Sequence, residues 1–290
     1  MSQFLQLLFS GLTVGATYAL SALGFSMIYN ASGVINFAQG EFIMLGGMVA
    51  AVLTASGLPL PLAVLAAIVV VALVGLIVEK LAIEPARDAD ITSIIIITIG
   101  VSMIVRGVVE VTMGKGSRAL PHFSGETPIA LGGATLLPQS LWVMAVTAVV
   151  VAGLAVFFGR TRLGKGILAT AHNRLAAQLV GVDVKKVLLT SFGLAAALGA
   201  VGGVLIAPIA TTSYDAGLML GLKGFVAATF GGLGSGVGAI AGGVLLGLIE
   251  TMTAGYVSSS YKDAVPFVLV LVILVVRPRG LFGLGPSERV

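Results

Sequence analysis

Apolar runs long enough to cross a lipid bilayer recur along almost the whole chain, and no other feature restricts its fold so severely. A spanning helix needs roughly 20 predominantly apolar residues. Phe4 to about Ile28, Pro61 to about Val78, Ile91 to about Met113, Gln139 to Phe158 and Val187 to about Ala210 meet or approach that length. In hydrocarbon every backbone polar group has to be bonded within the chain, so runs this uniform read as helices. Only 10% of the 290 residues are charged and the mean hydropathy is +1.11, whereas a soluble domain carries about a quarter charged residues. The expected fold is all-α: one polytopic transmembrane bundle over 1–290, with roughly eight to ten membrane segments. The 40 glycines suit such a bundle, because small residues let helices approach closely. Gly11, Gly15 and Ala19 form one such stripe on the first run.

Several polar residues interrupt the pattern where lipid cannot satisfy them. Tyr29 to Gly33 breaks the first run, and GVINFAQGEFIMLGG (33–47) then places Asn36, Gln39 and Glu41 where a second span should be entering the bilayer. Such groups face protein or a water-filled cavity. They are therefore candidates for a translocation path or its gate; the plainer alternative is that they cap a helix at the membrane surface. Glu41 is the sharpest of the three, because a buried carboxylate needs a partner or a shifted pKa. Gly40 marks a place where the helix can unwind into a re-entrant turn. Further on, Leu218 to Phe230 is short for a crossing and runs into GGLGSGVG at 231–238. Gly-interrupted half-helices of this kind place backbone groups and helix ends at mid-membrane, although a simple hairpin turn accounts for the glycines too. Lys223 and Glu250 flank this break and, if intramembrane, face the bundle interior as further path candidates. Arg106 and Glu110 lie four apart on one run and are expected to pair on one helix face.

The long soluble stretch between apolar runs is 159–186, with Arg160, Arg162, Lys165, Arg174, Lys185 and Lys186 against Asp183 alone. Basic loops stay on the cytoplasmic side. This loop and Arg277–Gly280 (RPRG) are therefore expected to be cytoplasmic, with an even number of crossings between them. With the second span that begins in 33–47, five runs precede the loop, which puts the N-terminus outside; a re-entrant 36–41 segment or a split first span would reverse that. No basic residue precedes the first run, so a cleaved signal peptide is not expected. The polar, Gly- and Pro-rich stretch 114–138 reads as an external loop. Within the basic loop Ile167, Leu168, Ala171, Leu175, Gln178 and Leu179 recur at three- and four-residue steps, between Gly164 and Gly181. The spacing predicts one short helix. A solvated connector whose charges only fix topology explains the same charges.

Other chemistry is poorly supported. No G-x-x-x-x-G-K-[ST] phosphate loop is present, and the scattered Ser, His and Asp residues form no nucleophile–base set, so no enzyme is expected. The absence of Cys and the two widely separated His residues give no metal site. The net charge of +4 sits at span ends and in one loop, which argues against a nucleic-acid partner.

The segment GKGILATAHNRLAAQLVGVDV (164–184) resembles the coupling segment of importer permeases of the ATP-binding cassette class, and most closely the branched-chain amino acid permeases. The likeness extends to GVINFAQGEFIMLGG, to FGGLGSGVGAIAGGVLLG (230–247) and to RPRGLFG (277–283), so it covers essentially the whole chain. The resemblance implies one half of a heteromeric pore importing leucine, isoleucine and valine across a bacterial inner membrane. It implies as partners a second homologous permease, two cytoplasmic ATPase subunits and a periplasmic or extracellular amino-acid-binding protein. ATP and Mg would be held by the ATPase subunits, with no cofactor in this chain. Gly164, Ala169, Ala171, Asn173, Arg174, Ala176, Ala177 and Gly181 would form the ATPase-coupling segment. Permeases for urea and short amides look similar, and a self-sufficient channel or ion-coupled carrier is the rival outside this class; the energy source separates them.

Overall fold

The computed structural model describes residues 2–87, 89–131 and 133–283. Its helices are α1 (Ser2–Ser32), α2 (Gln39–Ala55), α3 (Leu60–Val78), α4 (Ile91–Met113), α5 (Pro138–Arg160), α6 (Arg162–His172), α7 (Arg174–Leu179), α8 (Val184–Ile206), α9 (Ala216–Gly231), α10 (Gly236–Tyr256) and α11 (Ala264–Val276). A π-helical turn, Glu79–Ile83, extends α3, and a 3-10 turn, Ser259–Tyr261, precedes α11. Among the described residues six helices (α1, α3 with its π turn, α4, α5, α8 and α10) are long and apolar enough to cross a membrane, while α2, α9 and α11 are shorter apolar helices. The chain is a polytopic helical membrane protein. Among the described residues the strands are a small antiparallel hairpin, β1 (Ile129–Leu131) with β2 (Ala134–Leu136), inside the stretch read as an external loop.

Long-range bonds within the chain sort the connections into two ends. At one end Lys185 meets Glu84 at 3.4 Å, Asn30 Nδ2 donates to the Gly234 carbonyl at 2.9 Å, and the amides of Leu281 and Phe282 donate to Phe230 and Gly231 carbonyls. That end gathers the basic segment and Arg277–Gly280, as the parity argument requires. At the other end Arg118 and Thr212 exchange backbone bonds and Gln6 Oε1 accepts from the Thr135 amide at 2.7 Å. Ser2 therefore lies opposite the basic segment, on the side of the 114–138 loop.

The interior is built on close helix approach. α1 lies against both α8 and α10, and α2 packs on α8. The Gly11–Gly15–Ala19 stripe faces α10, where a Cβ on Gly247 would collide with the backbone of Gly15 and one on Gly243 with Ala19. Gly203 of α8 meets the Ile43 carbonyl of α2 in the same way. In lipid, water expulsion does not drive helices together, so backbone proximity and van der Waals contact carry the association. Two expectations are corrected here. The helix does not unwind at Gly40, which is helical and wedged against Gly217 and Gly221; the break is at 33–38, before α2. The basic segment forms two helices rather than one, because Asn173 adopts extended backbone between them.

Candidate functional site

The break before α2 is a stretch of non-helical backbone, so each of its amides needs a partner. Side chains supply several. Asn36 Oδ1 accepts from the Ala38 amide at 3.0 Å, Thr98 Oγ1 of α4 accepts from Phe37 at 3.2 Å, and Ser32 Oγ accepts from Val34 at 3.1 Å. Gln39, fully buried, donates through Nε2 to the Ala195 carbonyl of α8 at 2.9 Å. Glu41, also buried, accepts through Oε1 from Ser102 Oγ at 2.8 Å and from Arg106 Nη2 at 2.7 Å. Its Oε2 rests on Gly217 in the first turn of α9, where a helix N-terminus favours negative charge. An uncompensated carboxylate here would cost several kcal/mol, on the order of the buried-ion penalty.

Arg106 is thus a partner of Glu41, which corrects the expected Arg106–Glu110 pair; Glu110 instead meets Lys115 at 2.8 Å. Thr98, Ser102 and Arg106 recur every four residues on the α4 face turned toward α2. The signal was present in the sequence, as a polar stripe on an otherwise aliphatic helix, but the partner across the bundle was not.

A second buried cluster joins α1, α9 and α10. Lys223 Nζ lies 2.7 Å from Glu250 Oε1 and 2.7 Å from Asp263 Oδ1, while Tyr18 donates its hydroxyl to Glu250 Oε2 at 2.9 Å. The Lys223 ammonium also stands 5.7 Å from the Tyr18 ring centroid. Lys223 and Glu250 are buried and Asp263 is half-exposed. Sequence reasoning found Lys223 and Glu250 but neither Tyr18 nor Asp263. The structure therefore brings Asn36, Gln39 and Glu41 into one locus and Lys223 with Glu250 into another, with α9 touching both.

The basic segment shows why its sequence folds as two helices. Thr161 Oγ1 accepts from the Gly164 amide at 2.9 Å and starts α6; Asn173 Oδ1 accepts from Ala176 at 3.0 Å and starts α7; Asp183 Oδ1 accepts from Lys186 at 3.2 Å and starts α8. Such caps satisfy orphan amides at a helix start. Gly181 ends α7 at φ +87°, a left-handed conformation that favours glycine. Gly164, Ile167, Thr170 and Ala177 are buried against the bundle, whereas Ala171, Asn173, Arg174 and Ala176 are exposed and Ala169 is half-buried. Leu175 and Leu179 are 73% and 87% exposed, at an end of the molecule rich in cations rather than on a lipid-facing flank. Outside the spans, Lys186 holds the Asp183 carboxyl below its usual range through backbone and side-chain hydrogen bonds.

A family model described as branched-chain amino acid transport system, permease component, matches residues 7–274. The high-affinity branched-chain amino acid transport system permease protein LivH of Escherichia coli (strain K12) is 34% identical, over 99% of this chain and 98% of its own length. BraD of Pseudomonas aeruginosa, named for the same type of system, is 35% identical over 99% and 98%. Among solved structures, a chain of PsaBC from Streptococcus pneumoniae in complex with Fab superposes with a TM-score of 0.52 at 14% identity, covering 95% of this chain and 92% of that one, which is a likeness of fold. Matching nearly end to end both the family model and relatives of this identity, the chain belongs to the permease family of branched-chain amino acid transport systems.

Proposed function

We propose that this chain is one half of the translocation path of an ATP-driven importer for leucine, isoleucine and valine in a bacterial inner membrane. The observation that carries the ATP-driven part is the α6–α7 unit. It is anchored by Ile167, Thr170 and Ala177 and turns Leu168, Leu175, Leu179 and Val180 outward. An apolar ridge outside the spans is suited to a protein partner, here a cytoplasmic ATPase subunit that holds ATP and Mg. The substrate class follows the names of relatives that align over nearly the full chain. On this reading the nine apolar helices each cross, with α2, α9 and α11 completed by non-helical backbone. The basic end and the C-terminus face the cytoplasm.

Movement of α6–α7 has a physical route inward. Asp183 caps α8 directly after α7, α8 holds Gln39 through the Ala195 carbonyl, and Gln39 begins the helix that carries Glu41. The 33–41 segment is then the gate, and the ATPase shifts it only by contacting α6–α7 differently in its two states. A second permease completes the path and an external binding protein delivers the amino acid. The test is purification from mildly solubilised native membranes with identification of what travels along. Two ATPase subunits and a second permease are expected; a homo-oligomer of this chain alone, active without ATP, would remove the reading.

A further inference from the structure

The chain between α10 and α11 dips into the depth of the bilayer. α10 has 21 residues and rises ~30 Å from the basic end, which matches a hydrocarbon core of about 30 Å. α11 returns to that end with only 13 residues, or ~20 Å. Its C-terminal end is anchored there, because the Leu281 and Phe282 amides donate to the Phe230 and Gly231 carbonyls. Asp263, the residue before α11, therefore lies ~10 Å deeper than Tyr256 at the end of α10. Lys223 gives the same answer independently. It sits about two turns from the basic end of α9, and its Nζ holds Asp263 Oδ1 at 2.7 Å. Residues 257–263 thus descend into hydrocarbon depth, with the 3-10 turn Ser259–Tyr261 as their regular structure.

The fold does not cover this segment. Ser259, Ser260 and Lys262 are exposed, Tyr261 is 64% exposed, and Asp263 leaves about half of its side chain open. Irregular backbone at membrane depth is tolerated only where it is buried in protein or lines a water-filled cavity. The charges decide between the two. The core of a protein interface is depleted in charged residues, whereas here Lys262 and Asp263 stand beside open hydroxyls. We propose that 258–263 lines the water-filled part of the translocation path, along which the zwitterionic amino acid passes. Hydroxyls with one cation and one anion can contact both charged ends of such a solute without a net sign that would trap it, and passage requires contacts weak enough to release. The inference rests on the importer reading and adds a wall to the path beyond the 33–41 gate. α9 joins the two, with Gly217 against Glu41 and Lys223 on Asp263.

The chain has no cysteine, so one introduced thiol reports on one place. Ser260→Cys is made in the full assembly, reconstituted in proteoliposomes, and treated with a membrane-impermeant methanethiosulfonate; modification of this chain is read by mass. Two references are treated alike: Glu126→Cys in the exposed external loop and Val149→Cys on the outward face of α5. The thiol at 260 is expected to react, at a rate that differs between the ATP-free and the vanadate-trapped assembly, and leucine uptake measured before and after the reagent is expected to be lost. The thiol at 126 should react equally in both states, and that at 149 should not react. No reaction at 260 in either state means that lipid or another subunit covers it and overturns the proposal. Reaction at 260 as fast as at 126 in both states, with uptake retained, means an ordinary external loop and also overturns it. ATP dependence of uptake separates the two readings. An unreactive position 260 in an assembly that imports with ATP removes this inference alone, whereas uptake that proceeds without ATPase subunits removes the importer reading and leaves the aqueous lining standing.

Discussion

α1 and α5 are both long apolar helices, yet 67% of the most apolar window of α1 is buried within the chain against 11% for α5. The inner helix is the less apolar of the two, with a mean hydropathy of 1.4 over that window against 2.5. α1 buries Thr13, Thr17, Ser21 and Ser26 and sets its glycines against the backbone of α10. α5 turns Leu141, Val149 and Val156 outward, and a Cβ on its Gly153 would meet open space. In a bilayer, large aliphatic side chains are at home facing lipid, so small and hydroxyl-bearing residues mark the inside. The inside stays apolar, with Leu20, Phe25 and Ile28 of α1 fully buried, but the outside is apolar as well, so hydropathy alone does not separate the two.

Breaking the inner side of this comparison should have the largest effect. Gly247→Leu forces a side chain into the Gly11–Gly15 backbone and is expected to exceed the ~1–3 kcal/mol typical of overpacking. It should abolish a monodisperse peak in size-exclusion chromatography of solubilised membranes. Next comes Lys223→Met, which leaves Glu250 buried without its cation. A loss on the order of 3–5 kcal/mol is expected, read as a fall in Tm, and Lys223→Met with Glu250→Gln should recover part of it. A double variant no better than the single would show that the charges do not act as a pair.

Glu84 gives a smaller effect. Hydrogen bonds first from Lys80 and then from Lys185 hold its carboxyl below the ordinary value of 4.5. Its contribution to stability is present above that ordinary value and lost as pH falls through the depressed one. Glu84→Gln should therefore flatten a shallow decline of Tm on the acid side and leave neutral pH nearly unchanged, since exposed pairs contribute little. Gly153→Leu, on the outward side of α5, should change nothing measurable in Tm or yield. A clear loss there would mean that α5 faces another protein subunit rather than lipid.

Much of this was legible in the sequence, for identifiable reasons. α4 was placed at its observed ends because Asp90 and Gly114 bound a predominantly aliphatic run. The glycine stripe of α1 was visible because small residues at four-residue spacing have few other uses in a membrane helix. The polar residues at 36–41 stood out because lipid cannot satisfy them. What stayed hidden depended on partners distant in the chain. Arg106 was paired within its own helix, whereas its carboxylate is 65 residues away. Asp263 was not singled out, because only the fold shows that α9 brings Lys223 to it. The break at Asn173 was hidden by an apolar periodicity that continues across it, although an Asn three residues before the accepted amide is a recognisable cap.

The most direct test of the docking role of α6–α7 is leucine uptake by membranes carrying Leu175→Asp with Leu179→Asp. Both side chains point away from the bundle, so the account predicts normal amounts of folded chain in the membrane. It predicts that ATP-dependent uptake and co-purifying ATPase subunits are both lost. Uptake at the unsubstituted rate, with ATPase subunits still attached, would contradict the coupling role and leave 159–186 as a connector that only fixes topology.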